Sequence, residues 1–136
     1  MQTTINPIHD IGIARQIGNY SDAVEISHTG RILFLSGTPG LTPDGKLSQD
    51  FEEQAEQAWR NVLALLELAG MGPDHLVKIV QYLVRSEDIR KYSAVRTKML
   101  GACRPASMLL VISALARPDF LIEIEAYASA PGRTVT

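Results

Sequence analysis

A chain of 136 residues is an ordinary size for one domain and leaves little room for a second, so residues 1–136 read as a single unit around one core. With 46% apolar and 21% charged residues it falls inside the globular range and can bury a core without disulfides. The formal net charge of -2, with no cluster of Lys and Arg, argues against a nucleic-acid partner, because neutralising phosphates needs concentrated positive charge.

The first sixteen residues have no clear period, and Pro7 and Gly12 break any helical reading, so an arm or irregular strand is expected there. Short β-prone runs over Ala23–Ser27 and Ile32–Ser36, separated by His28-Thr29-Gly30, predict a hairpin with glycine at its turn. Gly37 to Gly45, with Pro43 suited to the second position of a turn, reads as loop. Phe51, Ala55, Ala58, Val62, Leu65, Leu66 and Ala69 then recur at three- and four-residue intervals, which predicts a helix over 50–69 packed by one face on a sheet. Asp50 and Glu53 have the spacing of a reciprocal N-terminal cap, Gly70 suits a left-handed C-terminal cap, and Trp59 borders the apolar stripe. Leu76–Val84 carries β-branched residues on both parities, as a central strand covered on both faces would. Helical spacing returns over Ser86–Leu100 through Ile89, Tyr92 and Met99 and stops at Gly101; Arg85, Arg90, Lys91, Arg96 and Lys98 alternate there with Glu87 and Asp88, as on a solvated face. Met108–Ser113 and Leu121–Ala128 close the chain as two strands joined through Ala116-Arg117-Pro118-Asp119, and residues from Pro131 read as a tail. The predicted class is α+β, in the order β-β-α-β-α-β-β.

Strand alternation in Leu121–Tyr127 puts Ile122, Ile124 and Ala126 on one face and Glu123 with Glu125 on the other, the two acids about 6.6 to 6.8 Å apart. One carboxylate could transfer protons while the other stays solvated, and a plain wet strand face fits the same spacing. Leu121 and Tyr127, on the acidic face, favour a partly covered cleft or a subunit boundary. The single cysteine, Cys103, excludes an internal disulfide and has no histidine near it in sequence, so it reads as an incidental thiol. His9, His28 and His75 lack the spacing of a metal site; neither metal nor cofactor is expected. No apolar run approaches the roughly 18 residues of a spanning helix, and no basic-then-apolar leader suggests export, so a cytoplasmic protein without a membrane partner is expected.

Tyr20-Ser21-Asp22-Ala23-Val24, Leu33-Phe34-Leu35-Ser36-Gly37, the Gln54-Ala55 to Ala69-Gly70 helix, Leu76 to Leu83, Arg104-Pro105-Ala106-Ser107 and Ile122-Glu123-Ile124-Glu125-Ala126 together resemble one family. They are similar, over nearly the whole chain, to the RidA/YjgF proteins, also known as liver perchloric-acid-soluble ribonucleases. The resemblance implies a chorismate-mutase-like fold, a homotrimer with its sheets packed into a barrel-like core, and a small-molecule ligand held in clefts between subunits. In members that hydrolyse reactive enamines and imines to ketoacids and ammonia, it implies an arginine on the substrate carboxylate and a glutamate that positions water. Glu123 matches the glutamate and is the expected catalytic residue. Tyr20 matches the pocket tyrosine, Gly37 the glycine whose backbone N–H faces the ligand, and Leu109 the position whose N–H joins them. The arginine normally follows a Pro-Ala pair, and here Pro105-Ala106 is followed by Ser107. A guanidinium fork gives two charge-assisted bonds of about 1.5 to 3 kcal/mol each, where a hydroxyl gives one neutral donor, so carboxylate affinity should fall about tenfold to a hundredfold. Arg104 could substitute only through a shifted loop, and Arg96 from a neighbouring chain is the other candidate.

Three functions fit these residues. The first is a deaminase-like hydrolase of a small enamine or imine, with Glu123 orienting water and Tyr20, Gly37 and Ser107 shaping the pocket. The second is a trimer that binds a neutral or cationic metabolite without chemistry. The third, a ribonuclease or translation inhibitor, would want a basic groove with interleaved aromatics, which the chain does not show.

Overall fold

The computed structural model describes residues 6–27 and 29–132; the ends of the expected arm and tail, and His28 of the expected hairpin turn, lie outside them. The chain runs through β1 (Ile8–His9), β2 (Ala23–Val24), β3 (Arg31–Phe34), β4 (Thr38–Pro39), α1 (Phe51–Leu68), β5 (Leu76–Leu83), α2 (Ile89–Leu100), β6 (Ala106–Val111) and β7 (Ile122–Ala130).

Asp50 starts α1 by accepting the Glu53 backbone N–H at 3.1 Å, one of the donors a helix leaves free at its first turn. Only half of the reciprocal cap forms, because the Glu53 carboxylate takes the Ser48 hydroxyl instead of reaching back to Asp50. At the other end Met71 N–H bonds Leu66 O and Gly70 N–H bonds Glu67 O, with Gly70 at φ +70°, a Schellman closure. The stripe through Ala55, Trp59, Val62 and Leu66 is fully buried. Trp59 is therefore inside the core rather than at its border, and Leu65, on the flank of that stripe, is 40% exposed.

Strands β3, β7, β5 and β6 lie side by side in that order, and β4 also pairs with β7. Among the named strands β5 and β6 alone run parallel, and α2 supplies the long crossover that parallel neighbours require. Both helices cover one face, where Ile122, Ile124 and Ala126 of β7 and Ile79 and Leu83 of β5 pack with Trp59, Leu66 and Tyr92. The other face carries Val80, Tyr82, Glu123, Glu125 and Tyr127, has no helix over it and stays half-exposed, so β5 is central but covered on one side rather than two.

The expected hairpin does not form: β2 pairs with β1, and β3 pairs with β7. Two non-local forces decide this. The Asp22 carboxylate accepts the backbone N–H groups of Ile11, Gly12, Ile13 and Ala14, which draws the arm back onto β2. Leu33 and Leu35 reach the core only beside β7, where Leu35 N–H bonds Ala126 O at 2.9 Å. Strand β4 falls in the stretch predicted as loop, held by the pairing of Thr38 with Ile124. Residues Ser86–Asp88, expected in the second helix, form a separate 3-10 turn that leads into it.

Candidate active site

Glu123 and Glu125 share the open sheet face, as alternation predicts, yet they are held differently. Glu125 accepts the Tyr82 hydroxyl at 3.2 Å on one oxygen and the Tyr127 hydroxyl on the other. Both phenols are pushed above their usual pKa, Tyr82 first by burial and then by Glu125, Tyr127 first by its bond to Glu125, so both stay protonated as donors. Phe34 meets the Tyr127 ring edge-on with centroids 5.7 Å apart. Glu123, between Tyr82 on β5 and Pro39 on β4, has no such clamp. Its carboxylate lies against Gly37, where a Cβ would stand 2.9 Å from Glu123 Oε1; glycine lets the acid settle on the backbone. Burial alone lifts the Glu123 pKa above the ordinary glutamate range, the direction a general base near neutrality needs.

A second group gathers at the outer edge of β6. Ser21 runs parallel to Ala106, its N–H donating to Pro105 O at 3.2 Å and its hydroxyl to Arg104 O, which brings Tyr20 beside Arg104–Ser107. Arg104 donates to Asp10 Oδ2 and to Tyr20 O, each at 3.0 Å, so its guanidinium fastens the arm instead of standing free. Ser107 faces the helices: Gln81 Nε2 donates to Ser107 Oγ at 2.8 Å and to Met108 O at 2.9 Å, and the Tyr92 hydroxyl donates to Gln81 Oε1. The sequence reading gave no role to Gln81 and Tyr92; the available signal was a glutamine inside an apolar strand, where a buried amide must find partners. Leu109 packs its side chain on the core, and because Ile112 N–H donates inward to Leu83 O, alternation turns the Leu109 N–H to the outer edge of β6. Burial, followed by nearby Asp74, raises the Cys103 thiol pKa, opposite to what a reactive thiolate needs.

The two groups do not meet within one protomer. Glu123 pairs with Tyr82 and Ser107 with Ile79, which separates them by two strand spacings and three residues of rise, about 14 Å, with side chains on opposite faces. Of the expected site residues, Glu123 and Gly37 form one group, and Tyr20, Arg104, Ser107 and Leu109 the other.

The family model described as Endoribonuclease L-PSP matches residues 13–130. A RutC family protein of Pyrococcus horikoshii is 34% identical over 116 residues, 84% of this chain and 89% of its own. The chloroplastic Reactive Intermediate Deaminase A of Arabidopsis thaliana is 31% identical over 115 residues, 83% of this chain and 59% of its own. Among solved structures, a conserved Rid-family protein of unknown function from Yersinia pestis superimposes with a TM-score of 0.80 at 28% identity, covering 91% of this chain and 98% of that one. RidA from an Antarctic Psychrobacter superimposes with a TM-score of 0.69 at 28% identity, covering 93% and 95%. The α+β fold with two helices on one sheet face is common to these neighbours, and the chain belongs to the RidA/YjgF family.

Proposed function

We propose that this protein is a RidA-like C–N hydrolase of a small enamine or imine, working as a homotrimer with its sites between subunits. The observation that carries the reading is Glu123, desolvated, without a side-chain clamp and set against the Gly37 backbone. The enamine first tautomerises to its imine. Water held by Glu123 loses a proton to the carboxylate as its oxygen bonds the imine carbon, and that proton passes to nitrogen to give a carbinolamine. The carbinolamine O–H proton is then carried to nitrogen through the same carboxylate as the C–N bond breaks, so that a ketone and ammonia leave. Kinship with Reactive Intermediate Deaminase A supports the reaction class. The separation of the two residue groups supports the assembly, since a second copy would bring a Tyr20–Ser107 edge to Glu123. Exposed Ile32, Phe34 and Met108 supply apolar surface on the open face.

Ammonia release from freshly generated 2-aminoacrylate tests the proposal. A rate above the uncatalysed one is expected, falling about a hundredfold or more in Glu123→Gln. No acceleration by the wild type would end this reading. A second reading, metabolite binding without chemistry, is favoured by the commitment of Arg104 to Asp10, and would appear as ligand-dependent thermal stabilisation with no turnover.

A further inference from the structure

Arg96 stands apart from the other cations. Among the described residues, Arg31, Arg96 and Arg104 are the lysines and arginines partly shielded from solvent. Arg31 donates to Ala69 O and Arg104 to Asp10 and Tyr20 O, whereas Arg96 has neither a carboxylate within 4 Å nor a carbonyl partner. Gly18 measures its distance from Tyr20: a Cβ there would stand 3.3 Å from Arg96 Nη2 and 3.5 Å from the Tyr20 ring, so guanidinium and ring border one small space. On α2, Arg96 lies one turn after Tyr92 and on the same face. Tyr92 begins the hydrogen-bond chain that ends at Ser107, and the polarity of that chain is fixed. Burial, above all, keeps the phenol protonated, and the Trp59 indole N–H faces its oxygen without closing a full hydrogen bond, so the Tyr92 proton goes to Gln81 Oε1. Gln81 must then turn its NH2 to Ser107 Oγ, which is already accepting. With one lone pair of Ser107 Oγ taken by Gln81, its O–H remains free to donate to an anionic ligand.

We propose that Arg96 and Ser107, beside Tyr20, form an anion subsite for the carboxylate end of a small substrate, with Tyr92 and Gln81 as positioning residues that set Ser107 as a donor. One planar fork and one hydroxyl match a planar monoanion. The inference rests on the hydrolase reading in treating this ligand as the substrate's charged end.

Titration calorimetry of the intact protein with 2-oxobutanoate and with its neutral methyl ester tests it. The acid should bind at least about tenfold more tightly than the ester, and Arg96→Gln should remove that difference, with Arg96→Lys recovering part of it. Ser107→Ala and Tyr92→Phe should each weaken the acid about three- to tenfold and leave the ester unchanged. In turnover, Arg96→Gln should raise KM more than it lowers kcat. Equal affinity for acid and ester, no binding of the acid by the wild type, or unchanged acid affinity in Arg96→Gln would overturn the subsite; unchanged acid affinity in Tyr92→Phe would overturn the positioning role. Acid binding through Arg96 without ammonia release would sink the hydrolase and leave the subsite standing.

Discussion

Two carboxylates two residues apart on one strand meet different fates because of what stands opposite each. Glu125 gains two phenolic donors, while Glu123 loses water and gains none. An acid whose folded-state pKa lies above its unfolded value is disfavoured as an anion in the fold, so its burial costs stability above the folded pKa, and the cost disappears as pH falls through that value. At neutral pH Glu123→Gln should therefore melt at or above the wild type in calorimetry while ammonia release collapses. A fall of several degrees would show that the carboxylate is bonded after all. The acid limb of kcat/KM should report a group titrating above the ordinary glutamate range, since the base works deprotonated; a limb inside that range would assign the role elsewhere. The pairing of the two acids was legible from alternation. Which of them is free was not, because the Tyr82 that clamps Glu125 is 43 residues away in the chain.

At the scale of elements, signals that act within a few residues were readable and those set by tertiary pairing were not. The Asp50 cap, the apolar period and Gly70 place α1 because each works inside one or two turns. Gly70 offers a clean measure: an added Cβ would meet nothing within 4 Å, so Gly70→Ala should cost only its positive φ, about 1 to 2 kcal/mol by urea denaturation with an unchanged m-value. No loss would mean that the helix can end another way. The hairpin failed as an expectation because local turn chemistry at Gly30 was outweighed by four backbone donors on Asp22 and by the pairing of β3 with the last strand. Ser107 was marked in the sequence as a departure from the Pro-Ala-Arg pattern. The chain that orients it, through Gln81 and Tyr92, crosses from strand to helix and leaves no local periodicity to read.

At the scale of the whole molecule, the described residues leave one sheet face sealed by helices and one bare. Phe34 is 71% exposed on the bare face, edge-on to Tyr127 and close to the clamped Glu125, Ile32 is about half exposed beside it, and Met108 is about half exposed on the same face at the opposite edge. Apolar surface on one sheet face fits the proposed assembly, in which the site is complete only when a second protomer brings its β6 edge to Glu123. Assembly and turnover should then be lost together. Phe34→Glu adds a charge beside Glu125 on that face without touching the core on the other. Sedimentation should change from about three times the 14.9 kDa chain to the single-chain mass, with circular dichroism preserved and ammonia release abolished. Carboxylate binding should respond differently, because Arg96, Tyr20 and Ser107 come from one protomer: it should persist in the dissociated variant while catalysis does not. A wild type that is active as a monomer, or a dissociated variant that keeps full turnover, would place the reacting carbon within one chain and refute the shared cleft.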